Sequence, residues 1–135
     1  MKPVLVDSNV LLDHLMDDSL WYEWSSEALR KVADQSILVI NPIIFAEVSV
    51  GFHTVEDVEE ALRLDFFRRE GISYDAAFLA GKAFLSYRKR GGRRSSPLPD
   101  FFIGAHAAVA GYRLLTRDPR RYRNYFPTVE LVAPG

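Results

Sequence analysis

The chain has 135 residues, no cysteine and a formal net charge of −1 at pH 7. Hydrophobic residues make up 48% and charged residues 26%, as in an ordinary globular protein. The lack of cysteine excludes disulfides, a thiol nucleophile and a thiolate metal site. No apolar run approaches the roughly 20 residues that span a bilayer, and the N-terminus lacks a signal-peptide layout. We therefore expect a single cytoplasmic domain over residues 1–135, with no membrane partner.

The predicted elements alternate along the chain. A short apolar strand at 4–6 precedes a helix at 8–16, which Ser8 or Asn9 is able to cap, and a second helix at about 20–34. The remaining predictions are a strand at 37–40, helices at 43–52 and 54–69, a strand at 72–74, helices at 75–90 and 97–111, and strands at 114–116 and 129–132. Residues 91–97 are the one predicted mobile loop.

Apolar strands that alternate with helices indicate an α/β fold with a mainly parallel sheet covered on both faces. In such folds the functional site lies beyond the carboxyl ends of the strands. Asp7 and Asp118 follow predicted strands, Glu47 lies in the helix after strand 37–40, and Asp100 opens a helix. All four acids are therefore expected at one edge of the sheet.

Four carboxylates without a counter-charge repel each other, and a divalent cation removes that cost. Oxygen-only ligands favour Mg²⁺ or Mn²⁺ over zinc. One or two such ions bind a phosphate, lower the pKa of bound water and stabilise the leaving oxygen. The pattern therefore predicts that Asp7, Glu47, Asp100 and Asp118 form a metal-dependent catalytic site.

Charge is distributed unevenly between the two halves of the chain. Residues 1–75 carry 15 acids and 6 lysines or arginines, whereas residues 76–129 carry 11 lysines or arginines and only two acids. The basic half predicts an anionic partner, and together with the acids it indicates phosphodiester hydrolysis of a nucleic acid. The predicted nucleic-acid contacts are Arg88, Lys89, Arg90, Arg93, Arg94, Arg117, Arg120 and Arg121. Two alternatives to a nucleic-acid surface stay open. The basic run from Arg88 to Arg94 is only a solvated helix end, or the acidic and basic halves of the chain complement each other electrostatically.

Each polar residue also has an ordinary structural interpretation. Asp100 and Asp118 would then only cap helices, and Glu47 would be solvated; Asp7 is the hardest to explain this way, because it ends a buried strand. Three neighbouring polar residues either orient the acids or cap helices, with neither favoured: Ser8, Asn9 and Thr116. His106 is expected to be a hydrogen-bonded packing residue, and Asp13, Asp17 and Asp18 are expected to be solvated.

Four segments resemble the blocks of PIN-domain nucleases, most closely the short VapC-type toxins of toxin–antitoxin pairs. They are VLVDSNVLLDHL, NPIIFAEVSVGF, PDFFIGAHA and LLTRDPRRYRNYFP, in that order and over essentially the whole chain. The resemblance implies a Rossmann-like α/β/α sandwich and a Mg²⁺- or Mn²⁺-dependent endoribonuclease. The family's metal-binding acids fall on Asp7, Glu47, Asp100 and Asp118, while Ser8 stands where the family often has Thr.

The resemblance also implies a homodimer and a small antitoxin whose tail lies across the active site, with the groove expected near Trp21–Trp24 and 43–52. Three rivals stay open. A housekeeping RNA-processing nuclease would share the same residues. A non-catalytic RNA- or protein-binding module would keep the basic half without needing acids inside it. A receiver-like phosphoacceptor would want paired acids after the first strand and a late lysine, which this chain lacks.

Overall fold

A computed structural model describes residues 1–94 and 98–135. The strands are β1 (Val4–Val6), β2 (Leu38–Ile40), β3 (Phe67–Arg69), β4 (Arg113–Leu115) and β5 (Leu131–Val132). The helices are α1 (Ser8–Leu15), α2 (Tyr22–Gln35), α3 (Pro42–Ser49), α4 (Val55–Ala61), α5 (Tyr74–Lys89), α6 (Pro99–Ala110) and α7 (Arg120–Tyr125). Part of the predicted mobile loop, 95–97, lies outside the described residues.

The five strands form one sheet in the order β3-β2-β1-β4-β5, and all four pairings are parallel. β1 is central, with Leu5 paired to Val39 of β2 and to Leu114 of β4. Every residue of β1 is fully buried, and since successive side chains point to opposite faces, both faces of the sheet are covered. The predicted α/β/α architecture is confirmed.

The segment between α3 and α5 differs from the sequence prediction. The helix expected over 54–69 ends at Ala61, and the strand expected at 72–74 does not form. Instead, Phe67–Arg69 makes the edge strand β3, in which Phe67 pairs with Leu38 and is buried. Pairing with β2 gives the backbone hydrogen bonds and buries the Phe67 side chain. This stabilisation outweighs the local helical preference of the sequence.

Helix α6 brings Asp100 to the edge of the sheet. It starts with Pro99, which suits the first turn because its missing N–H has no helical partner there. It ends at Gly111, whose φ of 73° is the left-handed conformation that closes many helices. Six of its residues are buried, including Phe101 and His106, so the helix is fixed against the core. No helix in the described ranges is long and apolar enough to cross a membrane.

An aromatic cluster holds α7 against α5 and α6. The Phe101 ring lies 5.5 Å from both the Tyr87 and the Tyr125 rings, measured between centroids, and 6.5 Å from Phe126. Phe126 packs directly on Gly104, where a side chain's Cβ would stand only 2.4 Å from Cδ2 of the ring. The absence of a side chain at Gly104 therefore allows Phe126, at the end of α7, to approach α6 closely.

Candidate active site

Asp7 is the centre of the predicted site. It directly follows β1, its backbone N–H donates to the Leu115 carbonyl at 2.8 Å, and the residue is 3% exposed. Its Oδ2 accepts hydrogen bonds from the hydroxyls of Thr116 and Tyr122, both at 2.9 Å, and a longer one from the Asn9 amide at 3.4 Å. Its Oδ1 has only a 3.5 Å contact with the Ser8 hydroxyl. The two oxygens therefore have very different surroundings.

Hydroxyl groups beside Asp7 also contact the Glu47 carboxylate and the Asp118 backbone. The Ser8 hydroxyl donates to Oε1 of Glu47 at 2.8 Å. The Thr116 hydroxyl accepts the Asp118 backbone N–H at 3.1 Å. The Tyr122 hydroxyl lies close enough to Asp100 to lower the pKa of that carboxyl. The four acids, up to 111 residues apart in sequence, thus gather at the carboxyl edge of the sheet as predicted.

The electrostatic environment of Asp7 is unfavourable for a carboxylate. Burial raises the pKa of Asp7 to about 6, and the charges of Asp100 and Glu47 contribute to this rise, although hydrogen bonds from Tyr122 and Thr116 oppose it. No lysine or arginine of the described residues forms an ion pair with Asp7. A buried negative charge without a cation is costly, and a bound cation would relieve that cost.

Burial and a neighbouring like charge raise the pKa values of Glu47 and Asp100 as well. Burial raises the pKa of Glu47, and the charge of Asp100 adds to this, while the Ser8 hydrogen bond lowers it. Burial also raises the pKa of Asp100, with Arg121 acting in the opposite direction. Oδ2 of Asp100 lies 3.2 Å from Nη1 of Arg121. A cation beside Asp100 is therefore already supplied by the protein, in contrast to Asp7.

Asp118 is the outermost of the four acids and is exposed. Together with Asp100 it borders a cavity of about 290 Å³ on the α7 side of the site. The other lining residues are Tyr87, Arg120, Arg121, Asn124 and Tyr125. The negative charge of Asp118 raises the pKa of Asp100, as expected for two carboxyls that lie near each other.

The donor set suits a hard divalent cation, because it consists of carboxylate and hydroxyl oxygens. Within residues 1–94 and 98–135, however, no three acidic or histidine side chains surround a common point as they stand. The Asp100 carboxylate accepts a hydrogen bond from Arg121, and the Glu47 carboxylate accepts one from the Ser8 hydroxyl. Both side chains are part-buried.

The helix-capping alternative is wrong for the residues of this site. Asp7 stands at the N-cap of α1, whereas Ser8 bonds to Glu47 and Asn9 donates to Oδ2 of Asp7 and to Thr116. Leu98 is the N-cap of α6 and Pro119 that of α7, so neither Asp100 nor Asp118 caps its helix. The polar side chains around Asp7 therefore form hydrogen bonds with the carboxylates of Asp7 and Glu47.

Two residues near the site were missed from the sequence. Asp13, expected to be solvated, is 3% exposed and accepts from the Ser25 hydroxyl and from Nε of Arg117, each at 2.7 Å. Tyr122, which was not considered, is 1% exposed and bonds to Asp7. Its signal was the spacing of Tyr122 and Phe126, which are four residues apart in an otherwise basic segment and thus share one helix face.

The residues predicted to contact nucleic acid differ in whether their side chains have a specific partner within the protein. Four arginines have specific partners: Arg88 bonds to the Arg94 carbonyl, Arg90 lies over the Tyr125 ring, Arg117 pairs with Asp13 and Arg121 with Asp100. The side chains of Lys89, Arg93, Arg94 and Arg120 are exposed. His106 is a packing residue as predicted, buried between the Asn41 amide at 2.9 Å and Glu70 at 3.2 Å.

Solved structures with similar folds are known. A chain of VapBC2 from Rickettsia felis, solved with a promoter DNA fragment, matches with a TM-score of 0.74 and 17% identity over 98% of this chain and 99% of that chain. A chain of VapBC-1 from nontypeable Haemophilus influenzae matches with a TM-score of 0.72 and 17% identity over 97% of both chains. A toxin–antitoxin complex from Klebsiella pneumoniae matches with a TM-score of 0.67 and 25% identity over 98% of both chains.

By sequence, none of the functionally curated proteins matches the chain. The PIN domain profile matches residues 4–127, nearly the whole chain. This confirms the resemblance that the four sequence blocks indicated. The chain therefore belongs to the PIN domain family, a family of nucleases that generally use divalent metal ions.

Proposed function

We propose that this chain is a Mg²⁺- or Mn²⁺-dependent endoribonuclease and the toxin of a toxin–antitoxin pair, with residues 1–135 acting as a single PIN domain. The observation that carries the proposal is Asp7: a buried carboxylate whose pKa of about 6 is raised in part by the charges of Asp100 and Glu47, and which forms no ion pair with a cation of the described residues. A protein keeps so unfavourable a charge most readily where a ligand compensates for it.

Asp7, Glu47 and Asp100 would hold the ion, and Asp118 would complete the set or hold a second one. When bound, such an ion supplies a Lewis acid for the scissile phosphate and lowers the pKa of water for in-line attack. Ser8, Asn9 and Thr116 would keep the acids oriented through the hydrogen bonds described above.

The basic residues would hold RNA by its phosphates. Arg88 to Arg94 lie at the end of α5 and in the loop after it, and Arg120 borders the cavity that Asp100 and Asp118 also line. Cations beside an acidic centre suit a polyanionic substrate, because the arginines attract the chain while the ion shields the phosphate from the carboxylates. Arg121 would exchange its bond with Asp100 for a phosphate when the substrate enters.

The test is cleavage of a defined RNA panel by the purified chain with Mn²⁺ or Mg²⁺, repeated with a chelator. We expect cleavage only with metal, and none by Asp7→Asn or Asp100→Asn. Asp17→Asn is the matched control, because it removes an exposed carboxylate at a φ of 54°, a conformation that Asn also tolerates. RNA that is bound but not cut by the wild type would instead support the non-catalytic module.

The toxin role rests on the VapBC and toxin–antitoxin complexes that share the fold. Val50, 87% exposed, belongs to segment 43–52, and Leu20, 79% exposed, directly precedes Trp21–Trp24; these are the two segments near which we expect an antitoxin to bind. Addition of a small protein encoded beside this chain is expected to stop RNA cleavage. Cleavage that no such protein inhibits would favour a housekeeping nuclease. The expected homodimer is testable by light scattering of the purified chain.

A further inference from the structure

We infer that Tyr122 is a positioning residue for the metal site: its hydroxyl fixes Oδ2 of Asp7, so that Oδ1 is the oxygen available to a divalent ion. The inference rests on the proposed function and deepens it. Tyr122 is 1% exposed, and its hydroxyl donates to Asp7 at 2.9 Å across 115 positions of sequence. Tyr122 acts in this role through Asp7.

The two carboxylate oxygens of Asp7 differ in the hydrogen bonds that they accept. Oδ2 receives hydrogen bonds from three parts of the fold, namely α1 through Asn9, the end of β4 through Thr116, and α7 through Tyr122. Oδ1 is only 3.5 Å from the Ser8 hydroxyl, which is directed to Glu47 at 2.8 Å. A carboxylate oxygen with three donors has little capacity left for a cation. Oδ1, on the side of Glu47, is therefore the oxygen that can bind an ion.

Tyr122 reaches Asp7 from a different part of the fold than Thr116 and Asn9 do. The Asn9 amide donates a hydrogen bond to the Thr116 hydroxyl at 3.3 Å, so these two donors form one local group at the end of the central strands. Tyr122 approaches from α7, and its neighbour Arg121 pairs with Asp100. Neighbouring residues of α7 thus contact both acids, Tyr122 through Asp7 and Arg121 through Asp100.

The hydroxyl distinguishes Tyr122 from a residue that only packs. A phenylalanine ring would fill the same buried volume, and a buried hydroxyl is costly unless it is hydrogen-bonded. The hydroxyl has its partner in Oδ2 of Asp7. Groups that orient a metal ligand in this way typically change metal affinity about 10- to 100-fold when they are removed.

The experiment compares Tyr122→Phe with Tyr125→Phe. Both lose one hydroxyl from α7, but the Tyr125 ring packs against Phe101 and Tyr87, and among the described hydrogen bonds its hydroxyl makes none to Asp7. Mn²⁺ affinity is measured on the RNA-free protein by titration calorimetry, with circular dichroism to confirm folding. We expect binding roughly 10- to 100-fold weaker in Tyr122→Phe, and within about threefold of the wild type in Tyr125→Phe.

RNA cleavage at saturating Mn²⁺ gives the second readout. Since Tyr122 acts through Asp7, enough metal is expected to restore kcat of Tyr122→Phe close to the wild-type value. A kcat that stays low with the site saturated would overturn the inference, because Tyr122 would then act on the substrate. Unchanged Mn²⁺ affinity in Tyr122→Phe, with a wild type that binds Mn²⁺ and cleaves RNA, would overturn it and leave the proposed function intact. A wild type that binds no Mn²⁺ would overturn both.

Discussion

Arg117 and Asp13 form an ion pair that ties the segment after β4 to α1. Nε of Arg117 lies 2.7 Å from Oδ2 of Asp13, and the same oxygen accepts the Ser25 hydroxyl at 2.7 Å. The guanidinium also lies over the Trp21 ring, 5.5 Å from its centroid. Arg117, predicted as an RNA contact, therefore has a structural role as well.

This pair leads to a prediction on stability. Arg117→Gln leaves the Asp13 carboxylate buried without its cation, so we expect the free energy of unfolding to fall by about 3 kcal/mol, near the lower end for broken buried pairs because Arg117 is partly exposed. Urea denaturation at pH 7 measures the loss. Adding Asp13→Asn should recover part of it, since the uncompensated charge is then gone. A loss below about 0.5 kcal/mol would mean that the pair is only a surface contact.

The pKa of Asp7 predicts the pH dependence of the metal-free protein. In the folded state Asp7 keeps its proton up to about pH 6, whereas in the unfolded chain it loses it near 3.8. Between these values the folded state binds more protons, so Asp7 makes stability fall as pH rises, with no further change above about pH 6. A difference of this size corresponds to on the order of 3 kcal/mol.

Asp7→Asn isolates that effect. The stability gained by the variant over the wild type is expected to grow from pH 4 to pH 6 and then stay constant, in unfolding curves recorded with chelator. The variant thus loses activity while gaining stability, the combination expected when a charge is kept for a ligand. A stability difference that is flat with pH would show that Asp7 titrates normally.

Metal binding should stabilise the wild type by linkage. At a Mn²⁺ concentration 100 times its dissociation constant we expect a gain of about 2.7 kcal/mol, which is roughly 8–10 °C in melting temperature for a chain of this length. Thermal melts with and without Mn²⁺ provide the measurement. Asp7→Asn is expected to lose the shift and Asp17→Asn to retain it, so equal shifts in all three proteins would place the ion elsewhere.

Two glycines in helices give a matched test of how α7 is docked. Gly104→Ala would place a Cβ 2.4 Å from the buried Phe126 ring, so we expect a loss of roughly 1–3 kcal/mol and weaker Mn²⁺ binding as α7 is displaced. Gly81→Ala in α5 meets nothing within 4 Å and should gain about 0.5–1 kcal/mol from helix propensity alone. Urea denaturation and calorimetry of both variants test this, and equal effects would contradict the close packing.

Several elements were correctly predicted because their signals are local. The central strand at 4–6 is a continuous apolar run, and the helix predicted to start at Thr54 is capped there by the Thr54 hydroxyl, which accepts from the Asp57 N–H at 3.1 Å. The helix predicted through 67–69 was wrong because helix propensity continues through that segment, and only pairing with β2 makes it a strand. Tyr122 was missed because a tyrosine among arginines gives no sign that it meets a carboxylate 115 positions away.

The sequence by itself determined the parallel α/β architecture, the family and the positions of Asp7 and Asp118 after strands and of Asp100 in the first turn of a helix, since periodicity and strand-end position are properties of short segments. Only the tertiary structure decided which acids are buried, which cation each one meets, and which hydroxyls hold them. Asp13 and Asp100 meet arginines, whereas Asp7 meets Thr116 and Tyr122. The physical reason is that the free energy of a charge depends on its desolvation and on neighbours brought close by long-range packing, neither of which is encoded in the residues beside it.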